Sequence, residues 1–213
     1  MSDTFYRFMC VLGRPVFWVS SVPVVFGAEH IPRRGPCLVA ANHTCPFDIP
    51  LLMRHTPRLL DFVSNTDVFR NPLVARFYGS LNAFPLDRSR PDAPTVRTIL
   101  ERLERGRAVC IFPEGRFRRG PASVLHGGRI VPGVGRLVEL SGASVIPAVV
   151  VNAAAYSHPA AWLPLGRTVY GVCFGEAIAP RAEPEDLERD LVDAMRALYA
   201  KLLARLPERS RRV

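Results

Sequence analysis

The chain has 213 residues, 48% of them hydrophobic, which fits one domain with a large core and requires no second domain. Its formal net charge is +9 and its pI about 10.0, and nearly all of the positive charge is arginine, because Lys201 is the only lysine. Arginine binds phosphate through a planar fork, so nucleic acid, phosphorylated small molecules and anionic lipid headgroups all fit this charge, and an arginine bias of the source would explain part of it equally well.

The first segment, residues 5–26, is mostly apolar and aromatic but is interrupted by Arg7, Arg14 and prolines. Its uninterrupted part, residues 16–26, is well short of the ~20 residues that a spanning helix needs, and no cleavage site of a signal peptide follows it. We expect residues 1–23 to form a helical segment in the membrane interface, with the arginines on anionic lipid, and residues 24–213 to form the domain. The alternative is an N-terminal helix packed on the core.

The next stretch, Cys37–Asp48, has the sequence CLVAANHTCPFD. Residues 37–41 form an apolar run bounded by proline and glycine, which predicts a buried strand. Asn42 and His43 fall where this strand ends, and Asp48 falls at the start of a predicted helix. In open α/β sheets ligands bind outside the carboxyl ends of the strands, so His43 is predicted to lie at the edge of a site.

The spacing between His43 and Asp48 suggests a general base. A turn of four residues containing Pro46 can place the Asp48 carboxylate against one ring nitrogen of His43, leaving the other nitrogen free to take a proton from a hydroxyl. The alternative is that His43 only satisfies backbone groups and Asp48 only caps a helix. On these twelve residues alone the two interpretations are equally good.

The remaining elements alternate between strand and helix. Strands are predicted at residues 59–64, 81–86, 108–112, 145–152 (interrupted by Pro147) and 168–174, and helices at residues 72–78, 92–106, 133–141 and 184–205. Residues 120–128 are predicted to form a loop. The alternation predicts an α/β fold, a single-domain mixed β-sheet flanked by helices.

Polar residues follow three of these strands: Asn42 and His43, then Asp87 and Arg88, then Glu114, Gly115 and Arg116. If the three strands are neighbours, these groups converge on one cleft. Arg88 and Arg116 would then hold a phosphate near His43, and Gly115 would let the backbone approach the ligand. The alternatives are that the arginines are solvated surface charges, and that Glu114 makes an ion pair or turn hydrogen bond that holds the arginines in place.

The five cysteines include no C-x-x-C pair and no histidine at zinc spacing, so no metal site is expected. Three of them lie in predicted strands as small core residues. An odd, scattered set favours a reducing compartment.

A set of motifs occurs in one order along the chain: Ile31–Pro36, the His43-x4-Asp48 motif after Asn42, Phe84–Arg88, Phe112–Gly115 and Val145–Pro147. Over residues 24–152 the chain resembles the glycerolipid acyltransferases, in particular the 1-acylglycerol-3-phosphate (lysophosphatidate) acyltransferases. The resemblance implies a glycerol-3-phosphate acyltransferase-like fold and acyl transfer from acyl-CoA or acyl-carrier protein to a lysophospholipid hydroxyl, without a covalent acyl-enzyme.

The resemblance also implies roles for particular residues. His43 would be the base and Asp48 its orienting partner, supported by Asn42. Arg88 would contact the acceptor phosphate, and Glu114, Gly115 and the preceding Pro113 would form the acceptor-binding loop. Pro147 would close the site. The protein would be monotopic or peripheral at the cytoplasmic face of the membrane, with no cofactor and no nucleic-acid partner.

One departure from the family pattern concerns the acceptor. Many members have an arginine two residues after the glycine, where this chain has Phe117, so Arg116 or Arg118 would take over the phosphate contact. The acceptor is then lysophosphatidate or another lysolipid, for example a lyso-amino-acid lipid. A hydrolase is disfavoured because no G-x-S-x-G motif occurs. A non-catalytic anionic-lipid-binding protein would explain the charge but not the His43–Asp48 spacing.

Overall fold

The computed structural model describes residues 3–86, 93–164 and 166–211. These residues form a seven-stranded sheet with the order β1-β7-β6-β2-β5-β3-β4. The strands are β1 (Ser21–Phe26), β2 (Cys37–Ala41), β3 (Leu60–Asn65), β4 (Ala83–Leu86), β5 (Ala108–Ile111), β6 (Ser144–Val151) and β7 (Thr168–Phe174).

Six α-helices in the described ranges cover the two faces of the sheet. They are α1 (Asp3–Ser20), α2 (Asp48–His55), α3 (Pro72–Ser80), α4 (Ala93–Glu104), α5 (Val134–Ser141) and α6 (Pro184–Arg205). Side chains of α4, α5 and α6 are buried in the core on one face, and those of α1, α2 and α3 lie in or against the core on the other face. The predicted single-domain α/β fold with a mixed sheet is confirmed.

The direction of the strands defines the edge at which the site lies. The neighbours β6, β2, β5, β3 and β4 run parallel, whereas β7 pairs antiparallel with β6, and β1 pairs parallel with β7. We call the edge at which β2, β5 and β6 end, after Ala41, Ile111 and Val151, the upper edge. Strands β7 and β1 begin there. The central strands β2 and β5 are buried throughout, as expected for parallel strands covered on both faces.

The N-terminal segment differs from the sequence interpretation. The expected single interfacial segment is divided between helix α1, which buries Tyr6 and Phe17, and strand β1, which pairs with β7 from Ser21 to Phe26. The expected boundary after residue 23 therefore falls inside a strand of the sheet. The β-branched residues of β1 are paired with a strand more than 140 residues later, and a local apolar pattern does not reveal such pairing.

Strand β6 also differs in one detail, because it runs through Pro147 without interruption. Pro147 lies opposite Ala40 of β2, and its carbonyl accepts a hydrogen bond of 2.8 Å from the Gly175 backbone. A Cβ atom at Gly175 would lie 2.7 Å from the Pro147 ring, so glycine is needed for this close packing. Pro147 is thus a buried residue inside the sheet.

Candidate active site

His43 and Asp48 meet where β2 leads into α2. The hydrogen bond between His43 Nδ1 and Asp48 Oδ2 is 3.0 Å long. Because a carboxylate only accepts, this contact assigns a ring proton to Nδ1 and leaves Nε2 as the acceptor in the neutral imidazole. The Asp48 side chain is fully buried, whereas that of His43 keeps 8% of its surface exposed. The contact is the one that the spacing of the two residues predicts.

The Asp48 carboxylate is held by the turn that connects it to His43. Its Oδ2 accepts hydrogen bonds from the backbone N–H groups of Thr44 (2.6 Å) and Cys45 (2.9 Å), and its Oδ1 accepts one from the Thr44 hydroxyl (3.1 Å). Asp48 does not cap α2, because the N-cap residue is Phe47 and no side chain caps this helix. The carboxylate therefore serves the turn and the imidazole, which disfavours the interpretation as a helix cap.

Two phenylalanines hold the His43 ring. The Phe112 ring is stacked on it with a centroid distance of 3.8 Å and an interplanar angle of 12°, and the Phe117 ring meets it edge-on at 4.4 Å. Contacts of this kind restrict the ring to one orientation. The motif spacing does not predict this role for either residue, and the only sign of it in the sequence is that aromatic residues lie on both sides of the Glu114-Gly115 pair.

Glu114 connects the backbone of His43 to a loop. Its Oε2 accepts the His43 N–H (2.7 Å), and its Oε1 accepts the Ser123 hydroxyl (2.9 Å) and the Val124 N–H (2.7 Å). Burial raises the pKa of Glu114, and the hydrogen bonds from His43, Val124 and Ser123 oppose this shift. All of these contacts lie within the protein. They are turn hydrogen bonds, as in the alternative interpretation of Glu114, but they hold His43, Ser123 and Val124 rather than the arginines. The contact of Glu114 with the acceptor stays a prediction.

Gly115 lies in a turn that requires glycine. Its φ of +71° is in the left-handed region, and a Cβ atom would lie 3.0 Å from a methyl group of Val131. The Gly115 N–H donates to the Phe112 carbonyl (2.9 Å), and the carbonyl of the buried Pro113 accepts the Val131 N–H (2.7 Å). The turn and the packing on Val131 account for the glycine without a ligand.

Arginines lie next to the base on the same loop. Arg116 is exposed, and Arg118 donates its backbone N–H to the His43 carbonyl (2.8 Å). The Arg118 Nε is buried and has no hydrogen-bond partner among the described residues. Arg119, which belongs to none of the predicted site residues, donates its Nε–H to the Thr44 carbonyl (2.9 Å). Arg88 lies outside the described residues, so its phosphate contact stays a prediction.

The strand order explains which groups meet. Strands β2 and β5 are neighbours, so His43 and Glu114 converge as predicted. Strand β4 is separated from β5 by β3, and residues 87 and 88 after it lie outside the described ranges. Asn42 extends the pairing of β2 beyond the strand, because its side chain donates to the Val150 carbonyl (3.0 Å) and accepts the Val150 N–H (2.8 Å). This contact fixes the point at which His43 leaves the sheet.

Cys45 and Thr44, the two residues that follow His43, are not placed to act as covalent nucleophiles. Burial, followed by the charge of Asp48, raises the pKa of the Cys45 thiol to about 11, so this thiol is not a ready nucleophile. The Thr44 hydroxyl is turned toward Asp48. Within the described ranges no group of three or more His, Cys, Asp or Glu side chains is placed to hold a metal ion.

A buried carboxylate that orients a histidine at the end of a central strand is an arrangement of acid–base enzymes. The family model for acyltransferases matches residues 23–151, which is more than half of the chain. The chain therefore belongs to the Acyltransferase family.

Two curated proteins are similar to part of the chain. A 1-acyl-sn-glycerol-3-phosphate acyltransferase of Bacillus subtilis is 25% identical over 113 residues, which cover 49% of this chain and 57% of that protein. A lyso-ornithine lipid O-acyltransferase of Pseudomonas aeruginosa is 33% identical over 99 residues, which cover 46% of this chain and 38% of that protein. The matches thus span less than two thirds of the length of either relative.

A solved structure supports the fold over nearly the whole chain. The crystal structure of the 1-acyl-sn-glycerophosphate acyltransferase from Thermotoga maritima matches with a TM-score of 0.72 and 22% identity. The match covers 95% of this chain and 81% of that chain. At this identity the likeness concerns the fold.

Proposed function

We propose that the protein transfers a fatty acyl group from acyl-CoA or acyl-carrier protein to the free hydroxyl of 1-acylglycerol-3-phosphate, forming phosphatidate. The observation that carries this proposal is the 3.0 Å hydrogen bond between His43 Nδ1 and the fully buried Asp48 carboxylate. His43 Nε2 takes the proton of the acceptor hydroxyl while the hydroxyl oxygen attacks the thioester carbonyl. The C–S bond of the thioester then breaks, the departing thiolate takes the proton from His43 Nε2 and leaves as the thiol, and the acyl group has moved without a covalent acyl-enzyme.

Asp48 and the two phenylalanines prepare the base for this step. The carboxylate stabilises the imidazolium that forms when Nε2 takes the proton, and three other hydrogen bonds keep it in place. Phe112 and Phe117 keep the ring in one orientation. The base is therefore oriented before substrate binds, which reduces the entropy cost of the reaction.

The charges around His43 support an anionic acceptor. The carboxylates of Asp48 and Glu114 are fully buried and take up hydrogen bonds from the protein. The loop beside the base carries Arg116 and Arg118, and guanidinium groups bind phosphate strongly. A phosphate-bearing lysolipid fits this balance of charge better than a cationic one.

The test of catalysis is a detergent-micelle assay with labelled acyl-CoA and lysophosphatidate, comparing the wild type with His43→Ala. We expect acylation by the wild type and loss of activity in the variant, with the fold intact by circular dichroism. Normal turnover by His43→Ala would refute the general-base role. If the wild type acylates no lysolipid with either donor but binds anionic vesicles, the protein is a lipid-binding member of the family.

The test of the acceptor uses the arginines of the loop and Arg88. Arg116→Gln, Arg118→Gln and Arg88→Ala are each expected to raise the KM for lysophosphatidate with little change in kcat, since they remove binding rather than chemistry. Arg97→Gln, on the exposed surface of α4, is the matched control. An unchanged acceptor KM in all three variants would refute the phosphate role.

A second acceptor is a lyso-amino-acid lipid. The observation that favours it is the 33% identity with the Pseudomonas aeruginosa lyso-ornithine lipid O-acyltransferase, together with Phe117 at the position where many family members have arginine. Competition between lyso-ornithine lipid and lysophosphatidate in one assay separates the two. Preference for the ornithine lipid would replace the first acceptor and leave the role of His43 unchanged.

The surface of α1 and α3 supports membrane association. Phe8, Val11, Leu12 and Trp18 on α1 are 55–74% exposed, and Leu73 on α3 is 79% exposed. The two helices adjoin at an edge-on contact of Phe5 with Phe77 (6.3 Å). No helix among the described residues is long and apolar enough to cross a bilayer. We place this surface in the headgroup region, with the exposed Arg7 and Arg14 on anionic lipid.

We assign the cytoplasmic face of the membrane from the cysteines. All five, which are Cys10, Cys37, Cys45, Cys110 and Cys173, are free thiols, as expected in a reducing compartment.

Vesicle flotation tests the membrane surface of α1 and α3. The double variant Phe8→Ser/Trp18→Ser should lose binding to phosphatidylglycerol vesicles. The control Leu140→Ser removes an apolar residue that is 49% exposed from α5, on the other face of the sheet. Equal binding by the double variant and the control would refute the placement of the α1 and α3 surface in the membrane.

A further inference from the structure

A concave region lies at the upper edge of the sheet, displaced from His43 toward β6, β7 and β1. It is a cavity of about 710 Å³, within the usual size of ligand sites. Asn152, directly after β6, lines it, and Val150, two residues earlier, holds the Asn42 side chain. The cavity and the base are therefore on the same edge of the sheet and are connected through β6.

The lining of this cavity has one sign of charge. Two arginines, a histidine, two hydroxyl groups and an amide contribute to it, and no Asp or Glu occurs among the described lining residues. The polar lining residues are Asn152, His158, Arg167, Thr168, Arg209 and Ser210. Such a set offers hydrogen-bond donors to an anion without a competing carboxylate.

The cations of the lining differ in how they are held. Arg167 donates to the Ser21 carbonyl (3.0 Å) and so fixes one wall at the junction of α1 and β1. The side chains of Arg209 and His158 make no hydrogen bond or ion pair with any described residue and are exposed. They reach the cavity from opposite layers, because Arg209 follows α6 and His158 lies in the segment after β6. The N–H groups of Arg209 and His158 are therefore available to bind a ligand in the cavity in place of water.

We propose that this basic cavity binds a phosphate-bearing group. Arg209 and Arg167 bind its oxygens through guanidinium N–H groups, and His158 adds a ring N–H. Two sources supply this chemistry: the phosphates of an acyl-CoA donor, and the headgroup phosphate of an anionic phospholipid. The first source rests on the proposed function, whereas the anion site itself does not.

The direct test is calorimetric titration of the intact protein with inorganic pyrophosphate. We expect Arg209→Gln/His158→Gln to weaken binding about tenfold or more, because two charge-assisted or polar donors are lost. The control is Arg97→Gln, which removes one exposed arginine of α4. Equal binding by the wild type and the double variant, or equal weakening in the control, would overturn the proposal. This readout does not depend on acyl transfer.

Two further measurements identify the source. If the donor supplies the phosphates, coenzyme A competes with pyrophosphate, and the double variant raises the KM for acyl-CoA while the acceptor KM stays unchanged. If a headgroup supplies the phosphate, the double variant loses binding to phosphatidylglycerol vesicles relative to phosphatidylcholine, and its affinity for coenzyme A is unchanged. If the variant alters neither coenzyme A nor vesicle binding, the site is overturned. If the wild type shows no transfer but binds pyrophosphate through these residues, only the proposed function fails.

Discussion

Replacement of Asp48 by asparagine separates the charge of this residue from its shape. Asp48 Oδ2 accepts from His43 Nδ1 (3.0 Å) and from the backbone N–H groups of Thr44 (2.6 Å) and Cys45 (2.9 Å). The amide oxygen of asparagine can take the same three contacts. Its NH₂ group would face the Thr44 hydroxyl, now 3.1 Å from Oδ1, which can rotate to accept. The turn should therefore keep its geometry.

The expected effects on folding and catalysis differ in size. Charge-assisted hydrogen bonds become neutral ones, so we expect a loss of about 1–2 kcal/mol in the free energy of unfolding. The imidazolium that forms in the transition state loses its neighbouring negative charge. We expect kcat to fall by about 10²–10⁴-fold, or about 3–5 kcal/mol. The upper limit is the loss seen for the Asp→Asn change in Ser-His-Asp enzymes, where the histidine also takes the wrong tautomer.

The assay is initial-rate acyl transfer from labelled acyl-CoA at saturating acceptor, beside urea unfolding of the same samples. The double variant Asp48→Asn/His43→Ala should be no slower than His43→Ala, because Asp48 acts through His43. A folded Asp48→Asn protein with kcat within about threefold of the wild type would refute the orienting role, since this role predicts about 10²-fold or more. Additive losses in the double variant would show that Asp48 acts independently of the base.

Three further predictions concern stability. Glu114→Gln should lower the free energy of unfolding by about 1–3 kcal/mol in urea titrations, because its NH₂ must face the N–H of His43 or Val124, and an unchanged midpoint would contradict this. Burial lowers the pKa of His55 from 6.5 to about 4, so the unfolded chain binds more protons between these values. Stability should thus be complete above pH 6.5 and fall by about 1–3 kcal/mol toward pH 4, a slope that His55→Gln should reduce. Asp3→Asn weakens the bonds from Arg107 (3.0 Å) and Asn82, and hydrogen exchange in α1 should become faster while global stability changes by less than about 1 kcal/mol.

The elements that local patterns define were predictable. Strand β2 has the bounds that its apolar run predicts, Cys37–Ala41, because proline and glycine precede it and polar residues follow it. Helix α6 likewise begins at Pro184 as predicted and has the predicted buried leucine stripe, and it ends at Arg205, which was predicted to lie near its end. Strand β1 was not predictable in this way. It exists through pairing of Ser21 with Thr168, and a run of apolar residues after a helix carries no sign of that partner.

The candidate site likewise has contacts that local spacing predicts and contacts that it does not. The His43–Asp48 contact spans five residues, so spacing and turn chemistry were sufficient to predict it. The stacking of Phe112 and the bonds of Glu114 to Ser123 and Val124 depend on how the chain after β5 folds over β2. That path is set by tertiary packing, which a single sequence does not encode in any local pattern.

Hydrogen bonds connect the chain after β5 to His43 and Thr44. These contacts show what the phenylalanine at position 117, where many family members have arginine, leaves unchanged. Glu114 accepts the His43 N–H, the backbone N–H of Arg118 donates to the His43 carbonyl, and Arg119 binds the Thr44 carbonyl. These three contacts use the Glu114 carboxylate, the Arg118 backbone and the Arg119 side chain. None of them uses the side chain at position 117. A change of arginine to phenylalanine at that position therefore leaves the backbone support of His43 in place. Because the Phe117 ring also meets the His43 ring edge-on (4.4 Å), we expect the change to bear both on acceptor recognition and on the orientation of the imidazole.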